Sequence, residues 1–154
     1  MFLDIGVVVP AFNEESKIAL VLDNIKKHIL PGNIVVVDDG SSDLTAERAE
    51  DAGVSVIRHS VNSGKGKALR TGFDFLSGKD NIRAVLTIDS DGQHDPEEIP
   101  GFVDKFYAGD YDIILGDRMT DTAKMPFLRK MTNRVTSKVI SLSLIHISEP
   151  RDRS

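Results

Sequence analysis

Residues 34–43 read IVVVDDGSSD: an unbroken run of β-branched residues followed directly by aspartates, glycine and serines. A strand without alternating polar positions has to be buried on both faces, which is typical of a parallel sheet covered by helices. Similar apolar runs occur at Ile5–Val9, Val54–Ile57, Ala84–Ile88 and Ile113–Leu115. We therefore predict a parallel sheet built from these five runs.

Amphipathic helices are predicted between the strands, because apolar residues recur there at helical spacing. The first carries Ile18, Val21, Leu22, Ile25 and Ile29 on one face and stops at Pro31 and Gly32. The others cover Asp43 to Asp51 with Asp43 as the cap, Gly64 to Leu76, Ile99 to Tyr107, and Leu128 to Val139. The pattern predicts a Rossmann-like, open α/β sheet with helices on both faces. In such sheets ligands gather beyond the carboxyl ends of the strands.

The composition narrows the function classes. The chain has 154 residues, a net charge of −5 and no cysteine. The acidic balance argues against a nucleic-acid partner, and the absence of cysteine excludes disulfides and thiolate metal sites and suits a reducing cytoplasm. No apolar run approaches the roughly 18 residues of a membrane span, and Asp4 interrupts the N-terminal run where a signal peptide would be apolar.

The segment DSDGQHDP follows the fourth predicted strand. In extended chain Asp89 and Asp91 point to the same side, and the side-chain oxygen of Gln93 continues it. Carboxylate and amide oxygens suit Mg²⁺ or Mn²⁺, with water and substrate phosphates completing the shell. The alternative is a solvated turn in which one of the aspartates caps the next helix.

Asp39 ends the second predicted strand and admits two interpretations. Its carboxylate can accept a hydrogen bond from a base or a ribose hydroxyl, or it can form an Asx-turn with the help of Gly40. For Asp38 we favour the turn. The segment NSGKGKA at residues 62–68 suits an anion at a helix start, although a plain helix start with solvated lysines fits equally well. The histidines show no metal-ligand spacing.

Together, the motifs PAFNEE, VDDGSSD, NSGKGKALRTGF, DSDGQHDPEEIP and GDR, in this order and spacing, resemble family 2 glycosyltransferases of GT-A fold. The likeness covers about residues 3–140 and extends to the dolichyl- and undecaprenyl-phosphate sugar synthases of that family.

The resemblance implies roles for individual residues. Mg²⁺ or Mn²⁺ would be bound by Asp89, Asp91 and Gln93. The nucleotide-sugar donor would be bound by Pro10, Phe12, Glu14, Val37, Asp39, Asp89 and Ser90. Phe12 stands where tyrosine is more usual, which keeps a stacking face and loses a hydroxyl. The acceptor phosphate would meet Arg118 and Arg129, with Arg134 as a neighbouring alternative to Arg129. Asp91 and Arg118 would be the catalytic residues.

The implied reaction is an inverting, metal-dependent transfer of a sugar from a UDP- or GDP-sugar to a polyprenyl or dolichyl phosphate. Its partners would be the nucleotide sugar and the lipid phosphate, at the cytoplasmic face of a membrane. Alternatives are a family 2 transferase with a polysaccharide or glycan acceptor, and a non-catalytic nucleotide-binding fragment. A receiver-like module fits less well, because its acidic pair would follow the first strand, whereas Asp38 and Asp39 follow the second.

The final residues depart from the pattern. LSLIHISEP at residues 142–150 resembles the translation of a transposase sequencing adapter, and Arg151 and Asp152 continue it after loss of one nucleotide. A native helix end with a charged tail is the alternative. We predict an incomplete, donor-binding part of a catalytic domain at residues 1–141 and a non-native tail at 142–154 that contributes little to the fold.

Overall fold

The computed structural model describes residues 1–109 and 111–116. Its strands are β1 Ile5–Ala11, β2 Ile34–Asp38, β3 Ser55–Arg58 and β4 Ala84–Thr87. Its helices are α1 Ile18–Ile25, α2 Thr45–Asp51, α3 Lys65–Ser77 and α4 Ile99–Ala108, with short 3-10 turns at Pro31–Asn33 and Pro96–Glu98. The four strands form one parallel sheet in the order β3-β2-β1-β4. The predicted α/β class is confirmed.

Every residue of β1 and β2 is buried, as the uninterrupted apolar runs predict. Alternate side chains enter opposite layers because successive residues of a strand point to opposite faces. Val7, Val9 and Val36 pack in one core cluster with residues of α1, α2 and α4. Val8, Val35 and Val37 pack on the other face, against α3.

Helix α3 lies unusually close to the central strand. A Cβ placed on Gly72 would overlap the side chain of Val8, and one placed on Gly6 would lie 2.8 Å from Cδ1 of Leu76. Glycine at these two positions lets the helix and the strand approach more closely than larger residues allow. This contact fixes the height of α3 above the sheet and therefore the position of its first turn.

Some predicted boundaries differ from the structure. Helix α1 ends at Ile25, yet Ile29 is still buried and forms an isolated β-bridge with Phe2. Helix α2 begins at Thr45, and Asp43 accepts the Thr45 N–H at 3.0 Å from just before the cap position. No helix in the described ranges has the length and apolar character needed to cross a bilayer.

The predicted fifth strand at Ile113–Leu115 is wrong. Residues 113–116 have no regular secondary structure, and Ile113 and Leu115 are 75% and 85% exposed. A short apolar run satisfies the sequence pattern of a strand, but a strand also requires backbone pairing along its length. The helix predicted from Leu128 to Val139 and the tail at 142–154 lie outside the described residues.

The close approach of α3 to β1 predicts an unfavourable Gly72→Ala substitution. Alanine favours a helix by about 1 kcal/mol, but overpacking a full core typically destabilises by about 1–3 kcal/mol. We expect a net loss of up to about 2 kcal/mol in the free energy of unfolding, measured by denaturant titration.

Gly66→Ala, in the first turn of the same helix with open space around it, is the matched control and should leave stability unchanged or slightly higher. Val8→Ala combined with Gly72→Ala should be less destabilised than the sum of the single changes, because the pair is in contact. A stable Gly72→Ala variant would contradict the packing argument.

Candidate functional site

The order of the strands determines where a cleft can form. From β1 the chain adds β2 and β3 on one side and then returns, through α3, to place β4 on the other side. The connections therefore diverge at the carboxyl ends of β1 and β4. In open parallel sheets this topological switch point leaves a crevice that ligands occupy.

An open cleft of about 320 Å³ lies at this point. Its lining comes from the ends of β1, β2 and β4 and from the start of α3. The lining residues are Pro10, Ala11, Phe12, Glu14, Asp39, Asn62, Gly64, Lys65, Ala68, Asp89, Ser90 and Asp91. The structure thus brings together six of the seven predicted donor-binding residues, and the predicted metal ligands Asp89 and Asp91.

Two predicted residues on described elements stay outside this lining. Val37 is fully buried and packs under α3, so its side chain belongs to the core. Gln93 is exposed, and its backbone N–H donates to Oδ1 of Asp91 at 2.9 Å. Arg118 and Arg129 lie outside the described residues.

The loop after β1 is braced against the loop after β2. Asn13 has a positive φ of 55°, its N–H donates to Oγ of Ser41 at 2.9 Å, and its Oδ1 accepts the N–H of Ser42 at 2.9 Å. The N–H of Glu14 donates to Oγ1 of Thr45 at 2.8 Å. Phe12, the residue before this brace, is 45% exposed and lines the cleft. An exposed aromatic residue at the edge of a cleft is suited to stacking against a planar ligand.

Asp39 is the most enclosed charge of the cleft, with its side chain 5% exposed. Its Oδ1 lies 2.6 Å from Nδ1 of His59, and its Oδ2 accepts the Gly64 N–H at 2.6 Å. The Ser63 N–H lies 3.1 and 3.0 Å from the two oxygens. Asp39 therefore holds the loop between β3 and α3 and does not form the local turn that the sequence allowed. Asp38 makes a local bond instead, accepting the N–H of Ser41, three residues on, at 3.2 Å, one residue beyond the span of the predicted Asx-turn.

These hydrogen bonds decide the charge of Asp39. Burial by itself would raise the pKa of the carboxyl group. The hydrogen bond with His59 and those from the Ser63 and Gly64 N–H groups lower the pKa by more than burial raises it, so the net pKa is below the ordinary value. Asp39 is consequently ionised at neutral pH.

Gly40, with a φ of +78°, lies so close to the loop between β3 and α3 that an added Cβ would lie 2.7 Å from the Asn62 nitrogen.

The opposite wall carries Asp89 and Asp91. Oδ1 of Asp89 lies 2.6 Å from Nζ of Lys65, the first residue of α3. The backbone N–H of Asp89 donates to Nδ1 of His94 at 2.8 Å, and the Ser90 hydroxyl donates to the Pro10 carbonyl at 2.9 Å. The Ser90 bond fastens the end of β4 to the end of β1. Asp89 thus forms an ion pair with the ammonium group of Lys65.

The carboxylates of the cleft fit a divalent metal. Two carboxylates line one cleft, and an ammonium group sits against one of them, so the location attracts positive charge. Within the part of the chain that the structure describes, no three His, Cys, Asp or Glu side chains cluster as a more complete ligand set. Two carboxylates with open positions fit Mg²⁺ or Mn²⁺ held jointly with substrate phosphates.

Sequence reasoning missed His59 and Thr71. Nε2 of His59 lies 3.0 Å from Oγ1 of Thr71, while its Nδ1 faces Asp39. His59 lies outside the quoted motifs, and Thr71 lies within NSGKGKALRTGF, where no role was assigned to it. The available signal was a histidine at the end of a predicted strand, shortly before the glycine-rich segment that lines the cleft.

The enclosure of Asp39 predicts a stability loss for Asp39→Asn. The amide retains one acceptor oxygen and presents an NH₂ group to N–H donors, so the hydrogen bonds made by the charged group are weakened. We expect the free energy of unfolding to fall by about 1.5–3 kcal/mol at pH 7. Asp74→Asn, on the exposed side of α3, is the control and should change little.

The same comparison has a defined pH dependence. Because the pKa of Asp39 is lowered on folding, its stabilisation is complete above its ordinary value of 3.8 and is lost as the pH falls through the lower folded-state value. The difference between wild type and Asp39→Asn should therefore shrink below about pH 4. A difference that instead grew on acidification would contradict this assignment.

Comparison with known proteins bears on this geometry. The glycosyl transferase family 2 profile matches residues 6–150. The uncharacterized protein MJ1222 of Methanocaldococcus jannaschii is 45% identical over 134 residues, covering 84% of this chain and 54% of the relative. A dolichol-phosphate mannosyltransferase of Pyrococcus furiosus is 31% identical, covering 97% of this chain and 44% of that protein. The chain thus spans about half the length of these relatives.

Among solved structures, a glucosyl-3-phosphoglycerate synthase from Mycobacterium tuberculosis, in complex with Mn²⁺, UDP and glucosyl-3-phosphoglycerate, aligns with a TM-score of 0.57. It is 32% identical, and the alignment covers 70% of this chain and 41% of that one. Its shared architecture agrees with the predicted GT-A fold. The chain belongs to glycosyl transferase family 2.

Proposed function

We propose that this domain binds a nucleotide-diphosphate sugar, with UDP or GDP as the nucleotide, and serves metal-dependent transfer of the sugar to a polyprenyl or dolichyl phosphate. The observation that carries the proposal is one cleft at the topological switch point, with a stacking ring and a buried carboxylate on one wall and two carboxylates on the other. Family membership supports a glycosyltransferase activity.

The nucleoside would lie between Phe12 and Asp39. Phe12 is exposed and offers an aromatic ring to the base of the nucleotide. Every base has a π-face, so such stacking does not depend on which base is bound. Asp39 is ionised and already accepts hydrogen bonds from three residues. The Ser63 N–H is shared by both oxygens, so four contacts face the roughly four lone-pair positions of the carboxylate. A base N–H or a ribose hydroxyl would therefore take over one half of the shared Ser63 contact.

The diphosphate would lie toward Asp89 and Asp91. Mg²⁺ or Mn²⁺ held by these two carboxylates would take up negative charge on the leaving nucleoside diphosphate, which is electrostatic stabilisation of the transition state. The amide of Gln93 is proposed to join them. The Lys65 ammonium group would then be available to other anionic oxygens in the cleft, because it stands at the rim on the first turn of α3.

The acceptor proposal rests on the likeness to the dolichol-phosphate mannosyltransferase and on the family roles of Arg118 and Arg129. A lipid phosphate is anionic at neutral pH, so its oxygen needs positioning rather than deprotonation. Transfer would be a single displacement with inversion at the anomeric carbon. The site of action would be the cytoplasmic surface of a membrane that contains the lipid acceptor.

A glycan or polysaccharide acceptor is the alternative within the same family. A neutral hydroxyl acceptor needs a general base, whereas a phosphate acceptor needs cationic partners. Replacing Arg118 or Arg129 in an active form of the protein discriminates between them. A large rise in KM for the lipid phosphate would favour the phosphate acceptor, and an unchanged KM would favour the glycan.

The shared metal predicts interdependent binding of metal and nucleotide. We expect UDP or GDP to bind the chain at least tenfold more tightly with Mn²⁺ than with EDTA, measured by calorimetry. Asp91→Ala should abolish this enhancement, because it removes one of the two carboxylates proposed to hold the ion against the diphosphate. Asp104→Ala, on the exposed side of α4, is the charge-matched control. Equal affinity with and without metal in the wild type would sink the proposed role of Asp89 and Asp91.

The Lys65–Asp89 ion pair predicts competition with the metal in the nucleotide-free chain. An exposed ion pair is worth about 0–1 kcal/mol, so Lys65→Met should tighten Mn²⁺ binding without nucleotide by up to about fivefold. Lys67→Met removes the same charge from the same helical turn without breaking the pair, and it serves as the control. Titration of free Mn²⁺ by electron paramagnetic resonance gives the affinities. A larger effect in the control would show that general charge, rather than the pair, governs metal entry.

A further inference from the structure

Three side chains form a continuous hydrogen-bonded row behind the cleft. Oδ1 of Asp39 lies 2.6 Å from Nδ1 of His59, and Nε2 of the same imidazole lies 3.0 Å from Oγ1 of Thr71 on α3. The side chains of Asp39 and His59 are 5% and 13% exposed. The row therefore links the end of β2 to the second turn of α3 through an imidazole shielded from water.

We propose that His59 is a positioning residue for the nucleotide: it orients the Asp39 carboxylate and, through it, the wall of the cleft formed by residues 62–65. His59 does not line the cleft and acts only through Asp39. The inference rests on the proposed function in one respect, namely that this wall contacts the nucleotide.

The backbone explains why His59 can play this part. The His59 N–H donates to the Asp38 carbonyl at 2.8 Å, which continues the pairing of β2 and β3 by one residue and fixes the Cα of the histidine. Thr71 then holds the far side of the ring. With both ends held, the imidazole offers Nδ1 to Asp39 in one direction only.

The orientation of Asp39 depends on this third partner. The other two partners are N–H groups of adjacent loop residues, Ser63 and Gly64, and they approach mainly toward Oδ2. Without His59, Oδ1 keeps only the longer, shared contact with Ser63 at 3.1 Å. The carboxylate is then free to rotate about its terminal torsion, and the loop whose amides it anchors loosens with it. Asn62 and Gly64, which line the cleft, belong to that loop.

Two substitutions distinguish the hydrogen bonds made by the two ring nitrogens of His59. The side-chain nitrogen of asparagine stands the same number of bonds from Cβ as Nδ1 of histidine, whereas that of glutamine corresponds to Nε2. His59→Asn therefore preserves a donor toward Asp39, and His59→Gln places its donor toward Thr71. The variants remove the same imidazole, so each controls for the other.

The first measurement needs no ligand. Hydrogen exchange of the Ser63 and Gly64 amides should remain near the wild-type rate in His59→Asn and should accelerate about tenfold in His59→Gln, because only the latter releases the acceptor of both amides. The second measurement is the dissociation constant for UDP and GDP with Mn²⁺. It should stay within about threefold of wild type for the asparagine variant and rise at least tenfold for the glutamine variant. Melting temperatures of both variants are recorded in parallel.

A histidine with a merely structural role would give a different pattern. Both variants would then lose stability to a similar degree, and neither the exchange rates nor the affinity would distinguish asparagine from glutamine; this result would overturn the proposal. Rescue by asparagine alone would support it. Thr71→Val provides a further arm, with a smaller loss of affinity than His59→Gln expected because it frees only the far side of the ring.

Failure of the proposed function is recognised separately. If wild type binds neither nucleotide, the proposed function is contradicted, and with it the claim that His59 serves a nucleotide site. If wild type binds nucleotide and His59→Gln binds equally tightly, the proposed function stands and the role of His59 is refuted.

Discussion

The central strand β1 is enclosed on four sides, and the remaining structure follows from that constraint. It pairs with β2 and β4 along its edges and packs against helices on both faces, and each of its residues from Ile5 to Ala11 is buried. A segment this enclosed has no freedom in register, because a slip by one residue would exchange the two core faces. The residues that leave its carboxyl end, beginning with Phe12, therefore emerge at one defined place. The cleft is located by the packing of the core beneath it.

The carboxylates of the cleft have two different environments. Asp39 is buried and accepts hydrogen bonds from protein donors, so its carboxylate holds the loop before α3 in place. Asp89 is partly exposed and paired with an exposed lysine, an interaction that can be exchanged at little free-energy cost. The cleft thus combines a fixed wall with an exchangeable one. Such a division suits the proposed site, which would recognise a nucleoside and also accept and release a charged diphosphate.

Much of this organisation could be predicted from the sequence. The unbroken apolar runs located the four described strands and indicated parallel pairing, and the polar residues after β1, β2 and β4 indicated the cleft. The family motifs identified residues such as Phe12, Asp89 and Asp91 that do line it. Periodicity could not separate a true strand from the short run Ile113–Leu115, because both satisfy the same local pattern and only backbone pairing distinguishes them.

The long-range contacts of the site were beyond the reach of pattern analysis. The bond between Asp39 and His59 joins residues 20 apart in sequence, and that between Ser90 and Pro10 joins residues 80 apart. Such contacts depend on the twist and spacing of the folded elements, for which a single sequence has no local signal. The same limit applies to Val37, whose place in the motif gave no indication that its side chain faces α3.

The strand order also has a consequence for the timing of folding. During synthesis β1 and β2 leave the ribosome before the other two strands, and β4, the second neighbour of β1, follows about 50 residues after β2. At roughly 5–20 residues per second the open edge of β1 waits several seconds for its partner. During that interval an apolar strand with unpaired backbone groups is exposed, which is the condition that promotes edge-to-edge association. A nascent chain of this topology is therefore most vulnerable to aggregation between the synthesis of β2 and that of β4. Chaperone binding would protect the chain most during this interval.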